Sequence, residues 1–137
     1  MSGTHRVITA PALAPPTGFA HAVVAAKGTT VYLGGQTAQG PHGRILGESM
    51  VEQFDVAAGN VLIALTASGG RAEHLVSLLI FVTDVGEYRR SLGELAPVYR
   101  KHFGRHYPAI ALLGVSELFD EAARIELVAT AVIPQAT

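Results

Sequence analysis

A lone carboxylate, Glu126, stands inside the run Arg124-Ile125-Glu126-Leu127-Val128-Ala129-Thr130-Ala131-Val132-Ile133. On a strand, such a group either faces water or sits where ionisation is costly. A partly buried carboxylate is a candidate proton donor or acceptor. The plainer alternative is an edge or interface carboxylate paired with Arg124 or with a residue of a neighbouring subunit. Other residues speak less directly to chemistry. His102 and His106 are four apart, a ligand-like spacing on a helix, but Gly104 and Pro108 interrupt that helix and no third ligand is placed by spacing. A solvated helix end is the preferred reading, and no metal site or cofactor is expected. His21, close to Phe19, is either a structural histidine or a ligand contact. Tyr107 offers a hydroxyl or simply a ring for packing. Gln36-Thr37-Ala38-Gln39-Gly40-Pro41-His42-Gly43 lacks the lysine of a phosphate loop and reads as a mobile surface loop. The chain has no cysteine, which removes thiolate and disulfide chemistry, and no serine sits in a nucleophile elbow.

Composition limits what could position these groups. The 137 residues suit one domain, residues 1–137, with a core of its own. Ten basic residues against 11 acidic ones give a formal charge of -1, without the basic stripe that tracks phosphates, so nucleic acid is not the expected partner. Charged residues make up 15% of the chain, below the usual level of about 25%. With 49% apolar residues, more surface wants cover than a small domain can provide, which predicts an oligomer. The N-terminus shows no apolar signal core, and no apolar run approaches the roughly 18 residues of a membrane span. A soluble cytoplasmic protein is expected.

Patterning predicts the order β-β-β-α-β-α-β-β. A short strand at 6–9 precedes a proline-rich loop, and strands at about 20–26 and 31–35 read as a hairpin turned by Lys27-Gly28-Thr29-Thr30. Ser49-Met50-Val51-Glu52 has the form of a capping box, and Val51, Phe54, Ala58, Val61, Leu62 and Leu65 recur at helical spacing until Ser68-Gly69-Gly70 stops them. A strand over 75–82 follows. A second capping pattern, Asp84 with Glu87, then opens a helix toward Phe103, with a kink expected at Pro97. Leu92, Leu95, Val98, Tyr99 and Phe103 form its apolar stripe. Strands at about 109–116 and 124–133 close a two-layer α+β sandwich with two helices on one face of a mixed sheet. In the last strand Ile125, Leu127, Ala129, Ala131 and Ile133 alternate with Glu126, Val128, Thr130 and Val132, so the second face also needs cover. Another subunit is the simplest cover, which would put Glu126 at an interface.

Taken together, the motifs resemble the Rid family, also called the YjgF or reactive-intermediate-deaminase family, over nearly the whole chain. The resemblance rests on Gly18-Phe19-Ala20-His21-Ala22-Val23, Leu33-Gly34-Gly35-Gln36-Thr37, Gln53, Asn60-Val61-Leu62, Phe81-Val82-Thr83-Asp84, Tyr107-Pro108-Ala109 and Arg124-Ile125-Glu126. It implies a chorismate-mutase-like fold, a homotrimer with clefts between subunits, and hydrolytic deamination of enamines and imines. It also implies an arginine after the Pro-Ala dipeptide that clamps a substrate carboxylate. Here that position is Ile110, and the other implied cleft positions are Phe19, Gly34 and Ala96 in place of tyrosine, serine and asparagine types. His21, Tyr107 and Leu112 complete the expected substrate contacts, and Glu126 is the acidic position retained.

The function expected on these grounds is a homotrimer binding a small, neutral or apolar metabolite. Glu126 would act as general acid/base in hydrolysis of an imine- or enamine-like compound, and ordinary 2-imino-acid deamination would be weak. Two other readings fit the same residues. One is a non-catalytic ligand-binding or interaction trimer. The other is a pathway-specific tautomerase or cyclase on the same scaffold.

Overall fold

Helix α1 (Met50–Ala67) begins where the capping box places it. Ser49 Oγ accepts a hydrogen bond from the Glu52 amide at 3.1 Å, and Glu52 Oε1 accepts from the Ser49 amide at 3.0 Å. It ends in a Schellman turn: Gly69 takes φ 89°, while the amides of Gly69 and Gly70 donate to Thr66 O and Leu65 O. Met50, Phe54, Ala57, Ala58, Val61 and Leu65 are buried along one side of the helix.

The computed structural model describes residues 4–136; residues 1–3, part of the stretch read as lacking a signal core, lie outside the described residues. Strands β1 (Arg6–Ile8) and β2 (Ala22–Val24) form a separate antiparallel ribbon. The main sheet has four strands: β3 (Gly28–Tyr32), β4 (Leu75–Val82), β5 (Ala109–Gly114) and β6 (Ile125–Pro134), in the order β3-β6-β4-β5. Only the β4–β5 pair is parallel. Its crossover carries two helices, α2 (Val85–Arg90) and α3 (Leu92–Phe103), as a parallel pair requires.

Leu78, Ile80 and Val82 of β4 share one sheet face with Ile125, Leu127, Ala129 and Ala131 of β6, and all pack into the core with α1. The other face carries Glu126 opposite Phe81 and Thr130 opposite Tyr32, in register. Tyr32 is 82% exposed and Leu113, opposite Phe81, is 43% exposed, so this apolar-leaning face has no cover within the chain.

Three expectations need correction. The hairpin is absent, because β2 pairs with β1 and β3 pairs with β6. Gly28 is not a turn residue: it lies where a Cβ would overlap the Ile133 carbonyl oxygen, so it serves close strand approach. The second helix is broken at Ser91, which caps α2 through bonds to Glu87 O and Tyr88 O and accepts the Leu95 amide at 2.8 Å to start α3. Pro97 stays inside α3. Finally, only half of the second capping box forms. Asp84 Oδ1 accepts the Glu87 amide at 2.9 Å, but the Glu87 carboxylate turns to Arg124 Nη1 at 2.7 Å and to the Met50 amide.

The segment read as a mobile loop is organised. Gln39 bridges Ile45, the Gly40 amide donates to Arg44 O, and Asn60 Nδ2 holds both Thr37 O and Gln39 O. Buried Gln53 ties the loops at the other end of α1. Its Nε2 donates to Gly47 O at 3.1 Å and Ala122 O at 3.0 Å, while its Oε1 accepts the Arg124 amide at 2.7 Å. Gln53→Leu strands three backbone groups and should cost about 3 kcal/mol, seen as a lower urea midpoint at unchanged slope. An unchanged midpoint would show that the loops do not depend on this clamp.

Candidate functional site

A cavity of about 530 Å³ opens between β5, α2, α3 and the proline-rich loop, within the size range of small-molecule sites. Local bonds build its rim. His21 Nδ1 accepts the Ala10 amide at 2.9 Å, which leaves Nε2–H to donate to Ala14 O at 3.0 Å. The loop so fixed sends the Ala20 amide to Pro108 O at 3.0 Å, bringing Phe19 to the same cavity as Tyr107. Thr17, Gly18 and Phe19 form the exposed rim. Phe54, Ile80 and Leu95, all buried, close the floor beside Ile110 and Leu112. No lining residue carries a charge.

The wall is aromatic. Tyr99 stacks on Tyr107 with centroids 4.9 Å apart and planes 4° apart, and its hydroxyl donates to His106 O at 2.7 Å. Burial, then the neighbouring tyrosines, pushes the Tyr99 phenol above the usual tyrosine range; burial also raises Tyr88. Both therefore remain neutral hydroxyls near neutral pH.

Five of the residues expected at a substrate site meet here: Phe19, Ala96, Tyr107, Ile110 and Leu112. Three do not. His21 has both ring nitrogens committed to loop backbone and stands behind Phe19, with ring centroids 6.0 Å apart. Gly34 faces open space, with nothing within 4 Å of a built Cβ. Glu126 lies on the sheet face away from the helices, against Gly35, where any Cβ would overlap its Oε2. Arg124 is engaged by Glu87, so it is not the partner of Glu126, whose carboxylate makes no hydrogen bond among the described residues. The chain by itself thus separates the carboxylate from the cavity.

Thr17, Tyr88, Leu92 and Tyr99 also line the cavity and were not expected there. The available signal was aromatic clustering: three of the 4 tyrosines, Tyr88, Tyr99 and Tyr107, converge on it. The histidine pair does not converge. His102 Nε2 meets Asp55 Oδ1 at 2.6 Å, and His106 Nε2 donates to Leu75 O at 2.7 Å. Lys101 first, then His102, holds the Asp55 carboxyl below its ordinary range, making a clasp between α1 and α3. Among the described residues no group of three His, Cys, Asp or Glu side chains is arranged to hold a metal.

The family model described as Endoribonuclease L-PSP matches residues 9–133. The mitochondrial protein MMF1 of Saccharomyces cerevisiae is 28% identical over 106 residues, covering 77% of this chain and 70% of that protein. The crystal structure of yeast Mmf1 superposes with a TM-score of 0.66 at 25% identity, covering 96% of this chain and 94% of the other. A Rid-family protein of unknown function from Yersinia pestis, YyfB, superposes with a TM-score of 0.85 at 27% identity, covering 95% and 99%. No helix among the described residues is long and apolar enough to cross a membrane.

Proposed function

The chain belongs to the Endoribonuclease L-PSP family, the YjgF/Rid family, with its chorismate-mutase-like α+β fold, and on that premise we propose that it hydrolyses a small, uncharged imine or enamine. The observation that carries this reading is the cavity itself: Ile110 sits in its wall and no cation lines it. A substrate carboxylate entering there would lose its hydration with nothing to replace it. RNA cleavage, the activity in the family's description, draws no support from an uncharged cavity in a chain of net charge -1.

Glu126 supplies the proton transfer in this proposal. Because its own chain holds it on the far sheet face, the cavity it serves is that of an adjacent copy in a cytoplasmic homotrimer. The uncovered face with Tyr32 and Leu113 supports such assembly. The carboxylate takes a proton from water as the oxygen bonds to the imine carbon. It returns that proton to the nitrogen, giving a carbinolamine. It then takes the hydroxyl proton and passes it to the nitrogen as the C=O bond forms and the C–N bond breaks, leaving a carbonyl compound and an amine or ammonia.

The test is a substrate panel. Enzymatically generated 2-aminoacrylate should release pyruvate and ammonia no faster than it does spontaneously, while uncharged imines should be hydrolysed faster than in buffer. Rapid, stoichiometric pyruvate release would overturn the proposal. The separation of Glu126 from the cavity within one chain favours a second reading, a ligand-binding trimer without turnover. Cavity binding with no Glu126-dependent chemistry across the panel would select it. Tautomerisation or cyclisation would appear as Glu126-dependent product formation without loss of amine.

A further inference from the structure

The geometry points to a planar, uncharged ring bearing a hydrogen-bond acceptor as the occupant of the cavity, an inference that rests on the binding reading above. Phe19, Tyr88, Tyr99 and Tyr107 all line the space. Tyr99 and Tyr107 are already stacked nearly parallel, each with one face turned to the other, and both line the cavity. A flat ring gains offset-stacked or edge-to-face contacts with such walls beyond the area it buries, whereas a saturated ring gains only the area.

The hydrogen-bonding groups narrow the class further. Tyr99 spends its hydroxyl proton on His106 O. The hydroxyls of Tyr88 and Tyr107 make no hydrogen bond among the described residues, although both side chains are half-buried and line the cavity. Neither hydroxyl oxygen is a buried unpaired atom, so each is open to solvent and free to meet a ligand in the cavity. Burial holds Tyr88 in its protonated form, so it offers a donor. Ile80, Ile110 and Leu112 offer neither donor nor acceptor. A carbonyl or imine group on the ring would satisfy a tyrosine, and the aliphatic floor would take the remainder. Aromatic walls also attract cations, but no carboxylate of the chain lines the cavity to offset desolvation of a positive charge.

The 137-residue protein, labelled at isoleucine and leucine methyls, would be titrated at neutral pH with benzamide, benzoate, benzylammonium and cyclohexanecarboxamide. Benzamide should shift the Ile110 and Leu112 methyl signals. Both charged probes should bind at least about tenfold more weakly than benzamide to the Glu126→Gln protein, where neither finds a counter-charge. The saturated amide should be weaker by about threefold. Tyr88→Phe or Tyr107→Phe should weaken benzamide by about fivefold while leaving benzene unaffected.

A charged probe that matches benzamide in the Glu126→Gln protein overturns the inference. Equal affinity for the saturated amide, or an unchanged benzamide affinity in both tyrosine variants, overturns it as well. In those cases the cavity still binds and the broader reading stands. If no probe moves the cavity methyls, the binding reading itself falls.

Discussion

Glu126→Gln lowers kcat on an uncharged imine by about 10²–10⁴-fold, the range associated with losing a positioned acid or base. The substitution keeps the side chain's size and removes only the ability to exchange a proton. Steric space is tight on one side: Gly35 lies so close that any Cβ there would overlap Oε2. Glutamine fits where glutamate fits, and with no bond to Arg124 or any other described residue at stake, the fold should not register the change. Circular dichroism, urea midpoint and assembly state should therefore match the parent. Binding in the cavity should also be retained, because the apolar floor and tyrosine wall do not include Glu126. Loss of kcat with unchanged affinity is the signature of a group used only in the reaction. If turnover survives in a folded Glu126→Gln protein, the acid/base belongs elsewhere, and the tyrosine hydroxyls become the next groups to test.

How far this site could be read without coordinates follows from the range of the interactions involved. The limits of α1 were legible because both caps are made by residues adjacent in sequence, Ser49 with Glu52 and Leu65 with Gly70. The alternation in β6 was legible for the same reason, and it placed Glu126 with Val128 and Thr130 opposite the core face. The hairpin reading failed because strand pairing is not local: Thr30 finds Val132, far along the chain, while Val7 takes Val23. The break at Ser91 was hidden because the apolar stripe begins only at Leu92 and carries no information about the turn before it. That stripe also concealed Leu92 and Tyr99 as cavity residues. Periodicity shows that a helix face is covered but not where the cover leaves a gap. Phe19, Ala96, Tyr107, Ile110 and Leu112 were named through resemblance rather than spacing. What neither route supplied was their separation from Glu126 within the chain.

Ile110→Arg should convert the cavity to anion binding, raising affinity for a carboxylate-bearing ligand by about 10–100-fold, as expected for a charge-assisted bidentate pair. Ile110 lies opposite Leu78 in the parallel β4–β5 register, on the helix side of the sheet, and reaches the cavity at half-burial. A longer side chain from that position has open space ahead of it. The cost is loss of apolar contact with the core and partial desolvation of a guanidinium, about 1–3 kcal/mol of stability. The Tyr88 and Tyr107 oxygens, free of other bonds among the described residues, can accept from it and reduce that cost. Because a clamp and an acid/base do different work, the double variant with Glu126→Gln should bind the carboxylate as tightly as Ile110→Arg without turning it over. Only the single variant should then release pyruvate from 2-aminoacrylate faster than buffer does. A folded Ile110→Arg protein that binds carboxylates no better than the parent would show that charge selection is set by another part of the wall. It would also remove the observation on which the uncharged substrate rests.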